Sequence, residues 1–229
     1  GRVRKPVVLK MNITITNEFV SEYLRDFYRP VSDSLYALRL KAEQDGVPVI
    51  LRETEEFLCF MMKVLHPETV LEIGTAVGYS SMVFASMGAS VVTVEKDEKM
   101  AEKAAGNFEL MGFSHEIRLL KGDGEEVLKS LKEKENGLSF DMVFIDAAKS
   151  HYKRFLDAAL PLCRSGAVII SDNVLLKGTT ASDSLDPNRR FKTNIKRMRE
   201  YLTYISDHPR LDTAIIACGD GLALSRYDL

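Results

Sequence analysis

The apolar positions of the chain follow a helical rhythm first and an alternation of strands and helices afterwards. From Asn17 to Tyr28, Phe19, Val20, Tyr23, Leu24 and Phe27 recur at helical spacing, and Pro30 ends the run. Ser32 or Asp33 can cap a second helix through Gln44, and Asp45-Gly46-Val47-Pro48 reads as a turn. Arg52 to Leu65 is a third helical run, with Thr54 as a candidate cap, Glu55 and Glu56 in the first turn, and Pro67 beyond the end. A helical lead-in, residues 11–66, thus precedes the first strand.

The rhythm then changes. Thr69 to Ile73 is a short β-type run, followed by a glycine-containing turn and a helix from Tyr79 to Met87. Val91 to Glu95 is the next strand. Asp97 caps the helix after it, which turns Met100, Ala101, Ala104, Ala105, Phe108 and Met111 inward and stops at Gly112. Ile117 to Leu120 forms a strand, and a helix runs from Gly122-Asp123-Gly124 through Lys134. Phe140 to Ile145 and Ala167 to Ile170 are strands on either side of a helix from Tyr152 to Leu162. Lys177 to Asn188 is a long irregular stretch of the kind that forms lids. A helix from Arg189 to Asp207 and a hairpin close the chain, with Thr213 to Cys218 and Leu222 to Ser225 flanking Gly219-Asp220-Gly221. Strands alternating with helices predict an α/β fold with a mostly parallel sheet covered on both faces. No repeat or linker interrupts the pattern, so residues 1–229 are expected to form one domain.

Composition narrows the class only modestly. The 229 residues suffice for one sizeable core. A formal net charge of −2 gives no overall support for nucleic-acid or membrane binding. Cys59, Cys163 and Cys218 sit apart in apolar runs, as buried thiols of a reducing, cytoplasmic compartment do, and no Cys/His cluster suggests zinc. No apolar run approaches the ~18–20 residues of a membrane span. Gly1 to Lys10 lacks the apolar core and cleavage site of a signal peptide. Met11 is a candidate native start, so residues 1–10 are expected to be, in whole or part, an addition to the native chain.

The candidate chemistry begins at the first strand. In Leu71-Glu72-Ile73-Gly74-Thr75-Ala76-Val77-Gly78-Tyr79-Ser80-Ser81 a carboxylate stands two residues before a Gly-x-x-x-Gly turn that opens a helix. The spacing is not the Gly-x-Gly-x-x-Gly of dinucleotide binders, and the absence of lysine excludes a P-loop. Glu72 at the mouth of such a turn would repel a pyrophosphate and suit a cation, such as the amino group of a methionine moiety. Glu95 ends the next strand, where doubly wound sheets carry an acid for ribose hydroxyls. Glu72, Gly74, Gly78 and Glu95 resemble the cofactor half of class I S-adenosylmethionine-dependent methyltransferases. The plainer alternative is a βαβ crossover with surface acids.

Two further strands end in hard oxygen ligands, Asp146 on one and Asp172-Asn173 on the other. The C-terminal strand ends of an open parallel sheet line its ligand crevice, so these residues converge near the glycine turn. Two carboxylates and an amide oxygen suit Mg²⁺ or another divalent cation. Singly, Asp146 would cap a helix and Asp172-Asn173 would form a turn; together they favour a site. Lys149 is either a solvated lysine at a helix start or, beside a dication that lowers its pKa, a proton acceptor.

From about Arg29 to its end, the chain resembles the cation-dependent O-methyltransferases, the group that includes catechol and caffeoyl-CoA O-methyltransferases. Leu71-Glu72-Ile73-Gly74, Phe144-Ile145-Asp146-Ala147-Ala148-Lys149 and Ser171-Asp172-Asn173-Val174-Leu175 carry the resemblance. Within the group, the segment Asp172 to Gly178 and the ending Thr213 to Ala223 look most like the bacterial tRNA 5-hydroxyuridine methyltransferases. The resemblance implies a Rossmann-like, seven-stranded sheet with an antiparallel last hairpin, and a homodimer. It implies metal on Asp146, Asp172 and Asn173. It puts the methionine end of S-adenosylmethionine near Val47, Glu72, Gly74, Thr75 and Ser80, its ribose at Glu95 and its adenine edge at Asp123-Gly124. Asp146 would also approach the cofactor amino group, and Lys149 and Asp146 would be catalytic. Gly124 stands where relatives often have Ala or Ser, leaving only a backbone contact, and Ala76 replaces a larger residue of some relatives.

A metal-held oxygen pair exists both in small catechol-like phenols and in 5-hydroxyuridine, with its 5-hydroxyl beside the 4-carbonyl. Arg189, Arg190, Lys192, Lys196, Arg197 and Arg199 occur without an intervening acid. With Lys177 at the lid hinge, they are candidate phosphate contacts for tRNA; Lys177, Arg189 and Arg190 lead that set. The alternative is a solvated basic helix face. The irregular stretch lacks a conspicuous aromatic cluster, which argues against a dedicated phenylpropanoid pocket. A non-enzymatic cofactor-binding protein would not need Asp146, Lys149, Asp172 and Asn173 together.

Overall fold

In the computed structural model, which describes residues 15–229, β1 (Thr69–Ile73) lies at the point where the winding of a seven-stranded sheet reverses. From β1 the chain steps outward to β2 (Ser90–Glu95) and β3 (Ile117–Lys121). It then returns to the other side of β1 to place β4 (Phe140–Ile145) and β5 (Cys163–Ser171). These five strands run parallel. β7 (Leu222–Tyr227) adds antiparallel to β5, and β6 (Leu211–Ile216) pairs antiparallel with β7 at the edge. The predicted mixed sheet and terminal hairpin are both present. Reversal between β1 and β4 opens a crevice at their C-terminal ends, the usual ligand position of such sheets. The expected boundary at residues 1–10 lies outside the described residues.

Helices cover both faces, which is why the central strands read as continuous apolar runs. Leu71, Ile73, Val143 and Ile145 pack with residues of α6 (Gly124–Lys134), α7 (Tyr152–Ala159) and α8 (Lys192–Ser206). Val70, Met142 and Phe144 pack on the opposite face with residues of α2 (Asp33–Gln44), α3 (Arg52–Leu65), α4 (Tyr79–Ser86) and α5 (Glu98–Leu110). Alternation along β1 therefore turns Glu72, between Leu71 and Ile73, toward the α4 face.

Local chemistry sets most element ends. Ser32 Oγ accepts from Leu35 N–H at 3.2 Å to start α2, and Asp97 Oδ1 accepts from Met100 N–H at 2.9 Å to start α5. The lead-in helix α1 (Glu18–Arg25) is shorter than the apolar rhythm, with Asn17 as its cap. Thr54 is not a cap. α3 begins at Arg52, which leaves Thr54 inside the helix with its hydroxyl buried and unpartnered. α8 begins at Lys192 rather than Arg189, because Arg189 adopts a left-handed φ of 52° and the Asp186 carboxylate caps the N–H groups of Arg190 and Phe191. The irregular stretch before it contains a 3₁₀ turn at Asp183–Leu185, whereas the chain at Lys177 and Gly178 turns through left-handed backbone.

Candidate active site

The turn after β1 is shaped by its two glycines. Gly74 has φ +102°, and a Cβ there would stand 2.0 Å from the Asp146 carbonyl oxygen. Gly78 has φ +83°, and a Cβ there would meet the Phe108 ring at 2.3 Å. At both positions protein already fills the space a side chain would need, so glycine is required for packing and backbone conformation. The first of these contacts brings the ends of β1 and β4 together.

Glu72 lies beneath this turn. Its fully buried carboxylate accepts from Ser80 Oγ at 2.5 Å, from Thr93 Oγ1 at 2.6 Å and from Ser81 Oγ. Burial pushes its pKa up to about 7, against the three hydroxyl hydrogen bonds that favour the carboxylate. Glu95 holds the turn from the other side. Its Oε2 accepts from the N–H groups of Thr75 at 3.1 Å and Ala76 at 2.8 Å, and Oε1 accepts from Asp97 N–H at 2.8 Å. The left-handed Ala76, φ 48°, is thus fixed by a charged acceptor.

Two adjoining cavities share Gly74, Ala76, Asp146 and Ala147. The first, about 640 Å³, contains Thr75, Ser80, Lys149, Asp172, Asn173 and Lys177 in its lining, with an apolar wall from Pro48 to Leu51. The second, about 570 Å³, contains Glu95, Asp123, Gly124, His151, Arg154 and Phe155. Asp123 both caps α6 through Glu125 N–H and binds Lys96 at 3.2 Å and Arg154 at 2.9 Å. Burial raises its pKa, but those two cations offset burial and hold the carboxyl below its ordinary range.

Between the cavities stands a polar knot. Lys149 Nζ donates to Asp146 Oδ1 at 2.6 Å, Asn173 Oδ1 at 2.6 Å and Tyr152 Oη at 2.8 Å. Tyr152 Oη in turn donates a hydrogen bond to the Asp172 carbonyl at 2.8 Å. Asp172 Oδ1 accepts from Asn173 N–H, while Asp172 Oδ2 is buried without a hydrogen-bond partner. Burial and the nearby Asp146 charge push the Asp172 pKa up to about 7. Burial works against the Lys149 ammonium, but Tyr152 and Asp146 outweigh it and raise its pKa above the ordinary lysine value.

This donor set fits a divalent cation. An ammonium already bridges Asp146 and Asn173, and the orphaned Asp172 Oδ2 is a buried acceptor without a hydrogen-bond partner. No group of three His, Cys, Asp or Glu side chains suited to metal occurs among the described residues; the set reaches three only through the Asn173 amide oxygen.

Four residues expected at the site do not line either cavity. Val47, partly buried, packs against the core just before the Pro48–Leu51 wall, and Glu72 is covered by the turn. Arg189 lines a separate cavity of about 840 Å³ at the start of α8, with Lys192, Lys196 and Arg199; Arg190 is next in the chain but does not line it. The basic run is partly neutralised by acids outside the window in which it was read. Arg197 and Lys196 approach Glu200 at 3.0 and 3.8 Å, and Arg199 binds Asp183 at 2.8 Å. Among the described residues, no ion pair engages Arg189, Arg190 or Lys192.

Sequence reasoning missed Tyr152, read only as the start of a helix, and the wall support. Arg39, 1% exposed, donates to Glu55 at 2.5 Å, to the Ile50 carbonyl at 2.8 Å and to Tyr79 Oη at 3.3 Å. Tyr28 and Tyr79 both donate to Glu55 Oε2 at 2.8 Å. The crevice wall and the first residue of α4 are thus joined through one buried ion pair. A lone Arg within α2 gave no signal of this.

The O-methyltransferase family profile matches residues 34–227. The chain belongs to the O-methyltransferase family. It is accordingly an enzyme. A catechol O-methyltransferase of Niastella koreensis is 28% identical over 218 residues, covering 91% of this chain and 96% of the relative. A catechol O-methyltransferase of Mycobacterium tuberculosis is 35% identical over 179 residues, 74% of this chain and 76% of the relative. The structure of an O-methyltransferase from Bacillus cereus, in complex with SAH, superposes with a TM-score of 0.79 at 27% identity, covering 92% of this chain and 97% of that one. The O-methyltransferase assignment agrees with the Rossmann-like sheet and its antiparallel hairpin. No helix among the described residues is long and apolar enough to cross a membrane.

Proposed function

We propose that this O-methyltransferase moves a methyl group from S-adenosylmethionine to a hydroxyl whose neighbouring oxygen helps to chelate a divalent cation, with Mg²⁺ the first candidate. The observation that carries the reading is the Lys149 ammonium between Asp146 and Asn173, beside the unpartnered Asp172 Oδ2. These oxygens mark a place built for positive charge. The cofactor half is supported by the SAH-bound Bacillus cereus relative. In this chain Gly74, Thr75 and Ser80 would receive the methionine end, with Asp146 near the amino group. Glu95 would take the ribose and Asp123-Gly124 the adenine edge. Glu72 would act from beneath, by aiming Ser80.

The sulfonium supplies an already activated methyl group. A divalent cation at Asp146, Asp172 and Asn173 would lower the pKa of the acceptor hydroxyl. Lys149 Nζ would take that proton once a second positive charge beside it has lowered its pKa. Tyr152 keeps Nζ in place through its 2.8 Å hydrogen bond. The apolar wall from Pro48 to Leu51 limits water on one side.

The acceptor is 5-hydroxyuridine in tRNA, giving 5-methoxyuridine. Lys177 in the crevice, and Arg189, Arg190 and Lys192 outside ion pairs, support a phosphate-bearing substrate. A small catechol-like phenol is the second reading, favoured by the catechol-methylating relatives and the apolar wall. Incubation with labelled cofactor, hydroxylated tRNA and a catechol panel, with Mg²⁺ or EDTA, tests both. Label in tRNA that requires Mg²⁺ supports the first reading, label only in catechols moves the assignment to the second, and full transfer in excess EDTA removes the cation.

We also infer a homodimer, because Phe19, Tyr23 and Phe27 around α1, and Phe60 and Val64 on α3, are more than half exposed. The three free thiols suit the cytoplasm.

A further inference from the structure

The segment that carries Asn173 is held partly by its own turns, such as Gly178 N–H to the Leu175 carbonyl at 2.8 Å, and partly from outside. Asn173, Leu176 and Lys177 all have left-handed backbones, with φ of 56°, 48° and 54°. For leucine and lysine this conformation is unfavourable and persists only where surrounding contacts over-determine it. The outside contacts to residues 174–177 come from the turn between β6 and β7. Val174 N–H donates to the Gly221 carbonyl at 3.0 Å, and Leu175 N–H donates to the Asp220 carbonyl at 3.1 Å. Lys177 N–H donates to Asp220 Oδ1. The fit is close, since a Cβ on Gly221, φ +88°, would stand 2.4 Å from Leu175 Cγ. On its other side the turn rests on α3, where a Cβ on Gly219 would meet Thr54 Oγ1 at 2.5 Å.

Of these hydrogen bonds, the Asp220 carboxylate makes the one that depends on a side chain. Asp220 also lines the first cavity, together with Asn173 and Lys177. We propose that Asp220 is a positioning residue: it clasps the strained 173–177 segment and so fixes the Asn173 amide oxygen and the Lys177 side chain at the crevice. The proposal rests on the cation site proposed above for Asp146, Asp172 and Asn173. It assigns Asp220 no contact with the reacting atoms.

Charge and position separate by substitution. Asp220→Ala removes the acceptor, whereas Asp220→Asn keeps an oxygen that can accept from Lys177 N–H but removes the negative charge. Mn²⁺ binding followed by electron paramagnetic resonance, SAH binding by calorimetry, and amide hydrogen exchange over residues 174–180 are measured for wild type and both variants. The expected result is Mn²⁺ affinity about tenfold weaker in Asp220→Ala, of the order seen when a supporting contact to a metal ligand is lost. Exchange at Leu175 and Lys177 should be faster, SAH affinity unchanged, and Asp220→Asn close to wild type in all three. Asp220→Asn as weak as Asp220→Ala would show that charge, not position, is what matters and would overturn the proposal. So would unchanged exchange and unchanged Mn²⁺ affinity in Asp220→Ala. A wild type that takes up no Mn²⁺ overturns the cation site itself, before any variant is made.

Discussion

Lys149 and Asn173 are joined by a 2.6 Å hydrogen bond across the crevice, although 24 positions separate them in sequence. A second 2.6 Å bond ties the same ammonium to Asp146, so one charged nitrogen satisfies two of the three oxygens assigned to a cation. Lysine and a cation held as proposed would then compete for the same electrostatic position. Lys149→Met removes the ammonium while keeping most of the side-chain volume. Methyl transfer should fall by roughly 10²–10⁴-fold, the usual effect of losing a general base. Mn²⁺ affinity should be unchanged or tighter. Turnover within a fewfold of wild type would end the proton-acceptor role.

Glu95 has three backbone hydrogen bonds to the turn and its neighbour in addition to its assigned ribose contact. Glu95→Ala should therefore weaken S-adenosylmethionine binding by roughly 1–3 kcal/mol from lost hydrogen bonds to a charged acceptor. Glu95→Gln, which retains one acceptor oxygen, should lie between. Calorimetric titration of both variants, with circular dichroism to verify the fold, decides the matter. Wild-type affinity in Glu95→Ala would remove it from the cofactor site.

Glu72 gives the enzyme a pH-dependent stability. Its folded pKa is raised from 4.5 to about 7 by burial. A raised carboxyl pKa means the folded protein holds a proton that the unfolded chain has released. The contribution is complete below the unfolded value and is lost as pH rises through about 7. Glu72→Gln resembles the protonated form at every pH. Relative to wild type it should gain up to about 3 kcal/mol between pH 4 and pH 8, an order-of-magnitude figure from the shift. Urea unfolding at the two pH values measures it. A difference that does not grow with pH would mean that Glu72 titrates normally.

Arg189 and Arg190 separate the two acceptor readings. Replacing both with Ala should raise the apparent KM for tRNA and flatten its dependence on salt, since phosphate contacts act through counterion release. Turnover of a small catechol should hardly change, because neither side chain lines the crevice. Methylation of tRNA that is indifferent to both the double substitution and salt would favour the phenol.

Much of the fold was legible because strand alternation, caps and glycine stops act locally. Asp97 and Ser32 cap where their sequence positions suggest. Thr54 misled because α3 already begins at Arg52, after a Leu51 cap position that makes no side-chain hydrogen bond, so no capping residue marks the true start. At the site, residues at the C-terminal ends of strands were readable, since Asp146 and Asp172-Asn173 follow directly from sheet topology. The direction of Glu72 was harder. Its position along β1 is clear, but its burial depends on the hydroxyls of Ser80, Ser81 and Thr93 meeting it from two other elements. The basic run illustrates the same limit, because Asp183 and Glu200 lie outside the window in which it was read. Asp220 was visible only as part of a hairpin turn; its reach to Lys177 is long-range.

The crevice wall at Ile50 and Leu51 comes from the early part of the chain, and Gly219 and Asp220, on the same cavity, come from the last hairpin. During synthesis the glycine turn emerges from the ribosome long before β7 exists to clasp the 173–177 segment. A nascent chain can build the central strands in order, yet the crevice must await the turn between β6 and β7. Pairing across so great a sequence distance is slow to nucleate. Catalytic competence should accordingly come late as this enzyme folds and, because the same hairpin forms the edge of the sheet, be among the first properties it loses when that edge frays.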